Sequence, residues 1–254
     1  MLDLDRKTAI ADILRWVDTW VLPEAPATIA VDAPTLIPNP TGMRLPDRLT
    51  HKYFGRYHAG CYPANQSLPF AQRTVGFGLE LEARGFAHAP VIAPQQPGRY
   101  QIEVFPHPAI VHLFGLERIL KYKKGCLKER RLELEKLRTF ILDVLPNLEP
   151  SLNVLPEAAP AVRPCQLNVP PEAAPAARPC QLNLNQKRQK PEIPLLPFSG
   201  AALKAVEDQL DSLICAYVGA HWWYWGLDRN WVLGDLATGY IIVPLTSSVP
   251  ILRV

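Results

Sequence analysis

A tandem duplication of fifteen residues interrupts this chain: residues 153–167 read NVLPEAAPAVRPCQL and residues 168–182 read NVPPEAAPAARPCQL. Twelve of the 27 prolines fall between Pro146 and Pro197. Proline fixes φ and removes a backbone donor, so neither a continuous helix nor a central strand can run through this stretch. Two copies poor in large apolar residues are also too few to stack as a solenoid. Residues 151–198 therefore predict a flexible, partly polyproline-like insertion. Any compact fold has to be assembled from residues 1–150 and 199–245 as two parts of one domain. Cys165 and Cys180 belong to the copies and read as spacer residues, not as a thiol site.

The rest of the chain can build such a domain. Of its 254 residues 48% are hydrophobic and 20% charged, which suffices for a real core. The net charge of +3 imposes no global field, so any basic site has to be local. No apolar run approaches the roughly 18 residues that span a bilayer, and Met1–Asp12 alternates charge with leucine instead of forming a signal-peptide core. No membrane partner and a cytoplasmic location are expected. The five cysteines are an odd number without a C-x-x-C pair, which argues against a disulfide framework or a structural zinc. Nothing in the sequence specifies an oligomeric state.

Periodicity supplies the elements. Ile10, Ile13, Leu14, Val17, Trp20 and Val21 recur at helical spacing and predict a helix over about 6–21. The apolar run ATIAVD (27–32) follows as a strand, closed by Pro34. Ser67 and Pro69 look like the cap and first turn of a helix that Gly85 stops. A second strand is expected over 100–105, then helices over about 108–114 and 127–145. A long helix over about 200–225 and a hairpin of 231–234 with 240–243 complete the chain. Residues 51–65, HKYFGRYHAGCYPAN, read as an irregular connection whose mixture of rings and cations suits stacking on bases, or as a packed loop.

Two acids stand where a soluble fold gains little from them. Asp32 sits at the tip of an apolar strand, and Glu103 lies within YQIEVF, where an ionised side chain is costly unless paired or metal-bound. Asp208 and Asp211 share a helix face beside the apolar stripe of Leu203, Val206, Leu210, Leu213, Ile214 and Val218. Clustered carboxylate oxygens suit Mg²⁺ or Mn²⁺, and two such ions about 4 Å apart can assist phosphodiester cleavage. Singly, each acid has a plain structural explanation: Asp32 as a turn cap, Glu103 as the partner of an arginine, Asp208 and Asp211 as solvated groups. Between Arg118 and Arg131, RILKYKKGCLKERR holds seven basic residues against the single acid Glu129. That density suits a phosphate backbone; a solvated helix face is the alternative. Lys121, Lys123, Lys124, Lys128, Arg130 and Arg131 are the candidate nucleic-acid contacts.

The segments TIAVDAP, LPDRLTHKYFGRYHAGCYPAN, GRYQIEVFPHPAIVHLFGLERILKYKKG, ALKAVEDQLDSLICAYVGAHWWYWG and VLGDLATGYIIVP together resemble domain of unknown function 429, a family of predicted nucleases. The resemblance implies a ribonuclease H-like α/β fold, a mixed sheet flanked by helices, and a metal-dependent acidic cluster. It places catalytic and metal-binding roles on Asp32, Glu103 and Asp211, with Asp208 as a further metal ligand. DSLICA resembles the arrangement around the last acid of junction resolvases, which favours Asp211. Family members open with a strand that carries a first aspartate, and this chain starts after it; Asp3 and Asp5 do not stand in for that residue. The absence should leave an apolar strand edge unpaired, unless an upstream start or a partner supplies the strand. The expected function is hydrolysis of nucleic-acid phosphodiester bonds with Mg²⁺ or Mn²⁺, water being the nucleophile. The alternative is a catalytically incomplete nucleic-acid-binding or scaffold protein of the same fold.

Overall fold

The computed structural model describes residues 7–156, 192–197 and 199–245, and the body of the duplication lies outside them. Among the described residues the chain forms six α-helices, a three-stranded parallel sheet, a short parallel pair and an antiparallel hairpin. Strand β1 (Ala27–Val31) pairs in parallel with the central strand β3 (Arg99–Glu103), whose other edge takes the two-residue β2 (Ala87–His88). A terminal hairpin, β6 (Asn230–Asp235) with β7 (Gly239–Pro244), joins through a parallel bridge from Val104 to Ile242. Val104 N also donates to Val31 O, so this single bridge lies on the edge of β3 opposite β1. No described strand pairs with the outer edge of β1.

The register β1–β3 assigns every side chain to a face, because strand residues alternate. Ala27, Ile29 and Val31 pack with Leu14 and Val17 of helix α1 (Ile10–Trp20) and with Leu81 of helix α3 (Ala71–Glu82). Ala30, Tyr100 and Ile102 join the larger core on the opposite face. That core is built from helix α4 (Pro106–Leu113), helix α5 (Leu127–Val144) and the 26-residue helix α6 (Gly200–Trp225).

Helix α6 starts where Ser199 Oγ accepts a hydrogen bond from Ala202 N at 3.3 Å, a side-chain N-cap. Its buried stripe runs through Leu203, Val206, Leu210, Leu213, Ile214 and Val218, as the sequence periodicity predicts. At Gly219 it crosses β1 so closely that an added Cβ would lie 3.4 Å from Ala30 Cβ and 3.5 Å from Thr28 Cγ2.

Several elements depart from the sequence expectation. Helix α2 (Leu45–Phe54) occupies part of the stretch expected to be irregular; its buried face carries Asp47 and Thr50 beside Phe54, which breaks the apolar period. Helix α3 begins at Ala71 and not at Ser67, because Ser67 is engaged by Asn65: Ser67 N and Oγ lie 3.2 and 2.6 Å from Asn65 Oδ1, an Asx turn that precedes the helix. The ends of the proline-rich stretch are part of the domain. Short strands β4 (Leu155–Pro156) and β5 (Glu192–Ile193) pair in parallel, and Val154, Ile193 and Leu196 enter the main core.

Gly219→Leu is expected to push α6 off β1 and cost on the order of 1–3 kcal/mol. Gly219→Ala, whose methyl finds ordinary contact distances, should leave the denaturant midpoint nearly unchanged.

Candidate functional site

The site lies at the carboxyl ends of β1 and β3, where α6 and the loop before α5 meet them. Alternation carries Asp32, one residue past β1, to the face of Thr28 and Ala30 that α6 covers. From α6, Asp211 and Glu207 project one turn apart on a single buried edge. Tyr122 Oη donates to Asp211 Oδ1 at 2.7 Å, and Lys123 Nζ stands 2.9 Å from Asp211 Oδ2. Glu207, only 1% exposed, is held by Arg130 at 3.1 Å and Lys204 at 2.6 Å. Asp208 faces outward and pairs with Lys204 at 2.8 Å.

Asp32 differs from its neighbours. It accepts no hydrogen bond and forms no ion pair among the described residues, and it is exposed to solvent. Crowding by protein atoms pushes its carboxyl up to about 7; Lys123 opposes the rise, and Asp211 and Glu103 add to it. Burial likewise raises the Cys215 thiol, so this cysteine beside the acids is inert at neutral pH. His107 opens α4 at its second residue and contributes no cap bond. Its ring lies 5.6 Å from that of Tyr122, its Nδ1 is buried without a partner, and burial followed by Lys123 pushes its pKa down to about 4. At neutral pH the imidazole is uncharged.

Glu103 is turned to the other side. It shares its face with Val31, its register partner, and is clamped by Arg44, whose Nη1 and Nη2 donate to its two oxygens at 2.8 and 2.7 Å. Arg44 also pairs with Asp47 at 2.8 Å. Burial pushes the Glu103 carboxyl up while Arg44 pulls it down; the two carboxylates hold the buried Arg44 more basic than usual. The ion pair is the state this geometry supports, since a bidentate fork satisfies both groups.

The basic segment divides in two. Arg130 Nε bonds Tyr122 O at 3.1 Å, Arg131 Nη2 lies 3.4 Å from Leu196 O, and Lys123 is on Asp211. These three brace the protein. Lys121, Lys124 and Lys128 remain exposed, and Lys124 Nζ donates to Tyr62 Oη at 3.0 Å.

The family described as Protein of unknown function (DUF429) matches residues 1–228. The chain belongs to this family. No curated protein and no solved structure matches it. The matched span of this DUF429 chain contains Asp32, Arg44, Glu103, Glu207 and Asp211 and ends before the β6–β7 hairpin. No helix among the described residues is long and apolar enough to cross a membrane.

A hard divalent ion needs several converging oxygens. Among the described residues no three Asp, Glu, His or Cys side chains stand close enough together to hold one. Asp32 and Asp211 are of the right kind for a single shared ion, with Lys123 now standing as the cation on Asp211. Glu103 does not fit such a centre while Arg44 clamps it, and the arrangement lacks the oxygens for a second ion. Glu207 is the acid that sequence reasoning missed. Its i,i+4 spacing to Asp211 was the available signal, whereas Asp208, at i,i+3, faces away.

Arg44→Met should destabilise the fold by about 3–5 kcal/mol, because it leaves Glu103 and Asp47 buried and unpaired. The double variant R44M/E103Q should recover part of that loss in urea unfolding. For Asp32 the folded pKa exceeds the ordinary 3.8, so the native state binds the proton more tightly than the unfolded chain does. Its ionised form then costs stability, increasingly as pH rises from 3.8 to about 7 and in full above that. Asp32→Asn is therefore expected to raise the melting temperature at pH 8, with a gain that shrinks below pH 7 and disappears near pH 4.

Proposed function

We propose that this DUF429 protein binds nucleic acid across the cleft at the carboxyl ends of β1 and β3 and hydrolyses its phosphodiester bonds, on a ribonuclease H-like variant of the α/β fold. What supports this most is that Asp32, an unpaired carboxylate, stands within electrostatic reach of Asp211 from the far end of the chain, and that Lys123 of the lysine-rich loop acts on both. Parallel α/β sheets bind ligands at this end of their strands. Bound Mg²⁺ or Mn²⁺, held by Asp32 and Asp211, would lower the pKa of an attacking water and offset charge on phosphorus oxygens. The exposed Lys121, Lys124 and Lys128 draw the phosphate backbone to the cleft. Glu103 acts from the opposite face, as the partner that holds Arg44 and thereby the strand end.

A second reading has its own observation. Lys123, Arg130 and Lys204 already neutralise Asp211 and Glu207, which suits a protein that holds nucleic acid without cutting it.

Labelled RNA and DNA incubated with the protein and Mn²⁺ or Mg²⁺ separate the two. Cleavage that falls by about 10²-fold or more in Asp32→Asn and Asp211→Asn establishes hydrolysis at this site. Binding by the unaltered protein with no cleavage under either metal establishes the second reading.

A further inference from the structure

Tyr62 is 80% exposed, more than any other large apolar or aromatic side chain described. An exposed tyrosine on a loose loop would mean little. This one stands on an anchored loop. On its amino side, His51 Nε2 donates to Cys61 O at 2.7 Å. On its carboxyl side, Ala64 N donates to Asp47 Oδ2 at 3.0 Å. Gly60 lies so close to His51 that an added Cβ would come within 2.6 Å of the imidazole ring. Lys124 donates to the ring's hydroxyl at 3.0 Å and lies 5.6 Å from its centroid.

Lys124 follows Lys123 directly, and the two point opposite ways: Lys123 inward to Asp211, Lys124 outward to Tyr62. One residue step thus joins the acidic cluster to an exposed ring with a cation at its edge. Two more rings of the same segment carry cations, Lys52 at 5.0 Å from Tyr53 and Arg56 at 4.5 Å from Tyr57, and Tyr57 O accepts from Ile119 N at 2.9 Å. The aromatic and basic stretches of the sequence are therefore one surface. Its chemistry, a flat π-face on an anchored loop beside exposed lysines, matches a nucleobase with its phosphate. A base inside a duplex has both faces occupied, so only an unpaired base can use it.

We propose that Tyr62 and Lys124 form a stacking platform for an unpaired base of single-stranded nucleic acid entering the cleft beside Asp32 and Asp211. The assignment rests on the nucleic-acid reading above but not on hydrolysis.

Fluorescence anisotropy with a labelled pyrimidine oligonucleotide, single-stranded and annealed to its complement, in a chelating buffer that prevents cleavage, tests it on the full chain. The single strand is expected to bind more tightly than the duplex. Tyr62→Ala should weaken single-strand binding by about tenfold while leaving duplex binding unchanged. Tyr62→Phe should keep most of the affinity, and Lys124→Met should lower both the affinity and its salt dependence. Equal binding by Tyr62→Ala and the unaltered protein overturns the platform, as does preference for duplex or equal, Tyr62-dependent capture of polyglutamate. Tyr62-dependent binding without cleavage upon adding Mn²⁺ leaves the platform standing and removes hydrolysis; cleavage with Tyr62-independent binding does the reverse.

Discussion

Arg44 ties together parts of the chain that are remote in sequence. Its guanidinium reaches Glu103 on the central strand, Asp47 in the first turn of α2 and Leu36 O in the connection after β1, all at 2.7–2.9 Å. Asp47 in turn accepts from Ala64 N and from Arg44 N, which fixes the loop bearing Tyr62. Gly239, at the start of β7, packs against the same guanidinium: an added Cβ there would lie 3.0 Å from Arg44 Nη1. Taking such charges out of water costs several kcal/mol each, so a buried cluster of this kind is weak evidence of net stability. What it provides is uniqueness: once Arg44 is buried, only the arrangement that brings both carboxylates to it is tolerable. The strand end, the α2 turn, the Tyr62 loop and the hairpin are thereby locked to one another.

The sheet register separates the two acids that the sequence grouped. Val31 stands opposite Glu103, so Asp32, one residue later, belongs to the other face. The same alternation that buries Ile29 against α1 delivers Asp32 to α6. A carboxylate at a strand tip can thus serve a cleft, while one a single residue out of phase becomes a structural counter-ion. Chemistry and architecture are divided by a shift of one position.

Much of this is legible in the residues alone. Helix α6 coincides with its apolar stripe because 26 residues of consistent 3.6-residue period leave no other solution, and β1 and β3 follow from short apolar runs ended by Pro34 and Pro106. Helix α2 is hidden because its buried positions are filled by Asp47 and Thr50, which satisfy Arg44 and the helix backbone instead of an apolar core: Thr50 Oγ1 bonds Pro46 O at 2.8 Å. Strand β2 is two residues long and has no period. The site is half legible. Asp32 and Asp211 lie on the same side of the sheet, but which of Asp208 and Glu207 accompanies Asp211 depends on the rotation of α6 about its axis. Tertiary packing fixes that angle; the local spacing allows both.

The charge pattern around the acids sets what an anionic ligand would meet there. Two unit charges 4 Å apart interact by about 4 kcal/mol at an effective dielectric of 20, so a phosphate beside bare Asp211 and Glu207 would be driven off. Lys123, Arg130 and Lys204 cancel those two acids from within. Exposed Lys121, Lys124 and Lys128 then determine what an arriving ligand meets first. Asp32 makes no ion pair among the described residues, and burial raises its pKa although Lys123 opposes the rise, so of the three carboxylates it is the one most open to a proton or to a cation that arrives from outside.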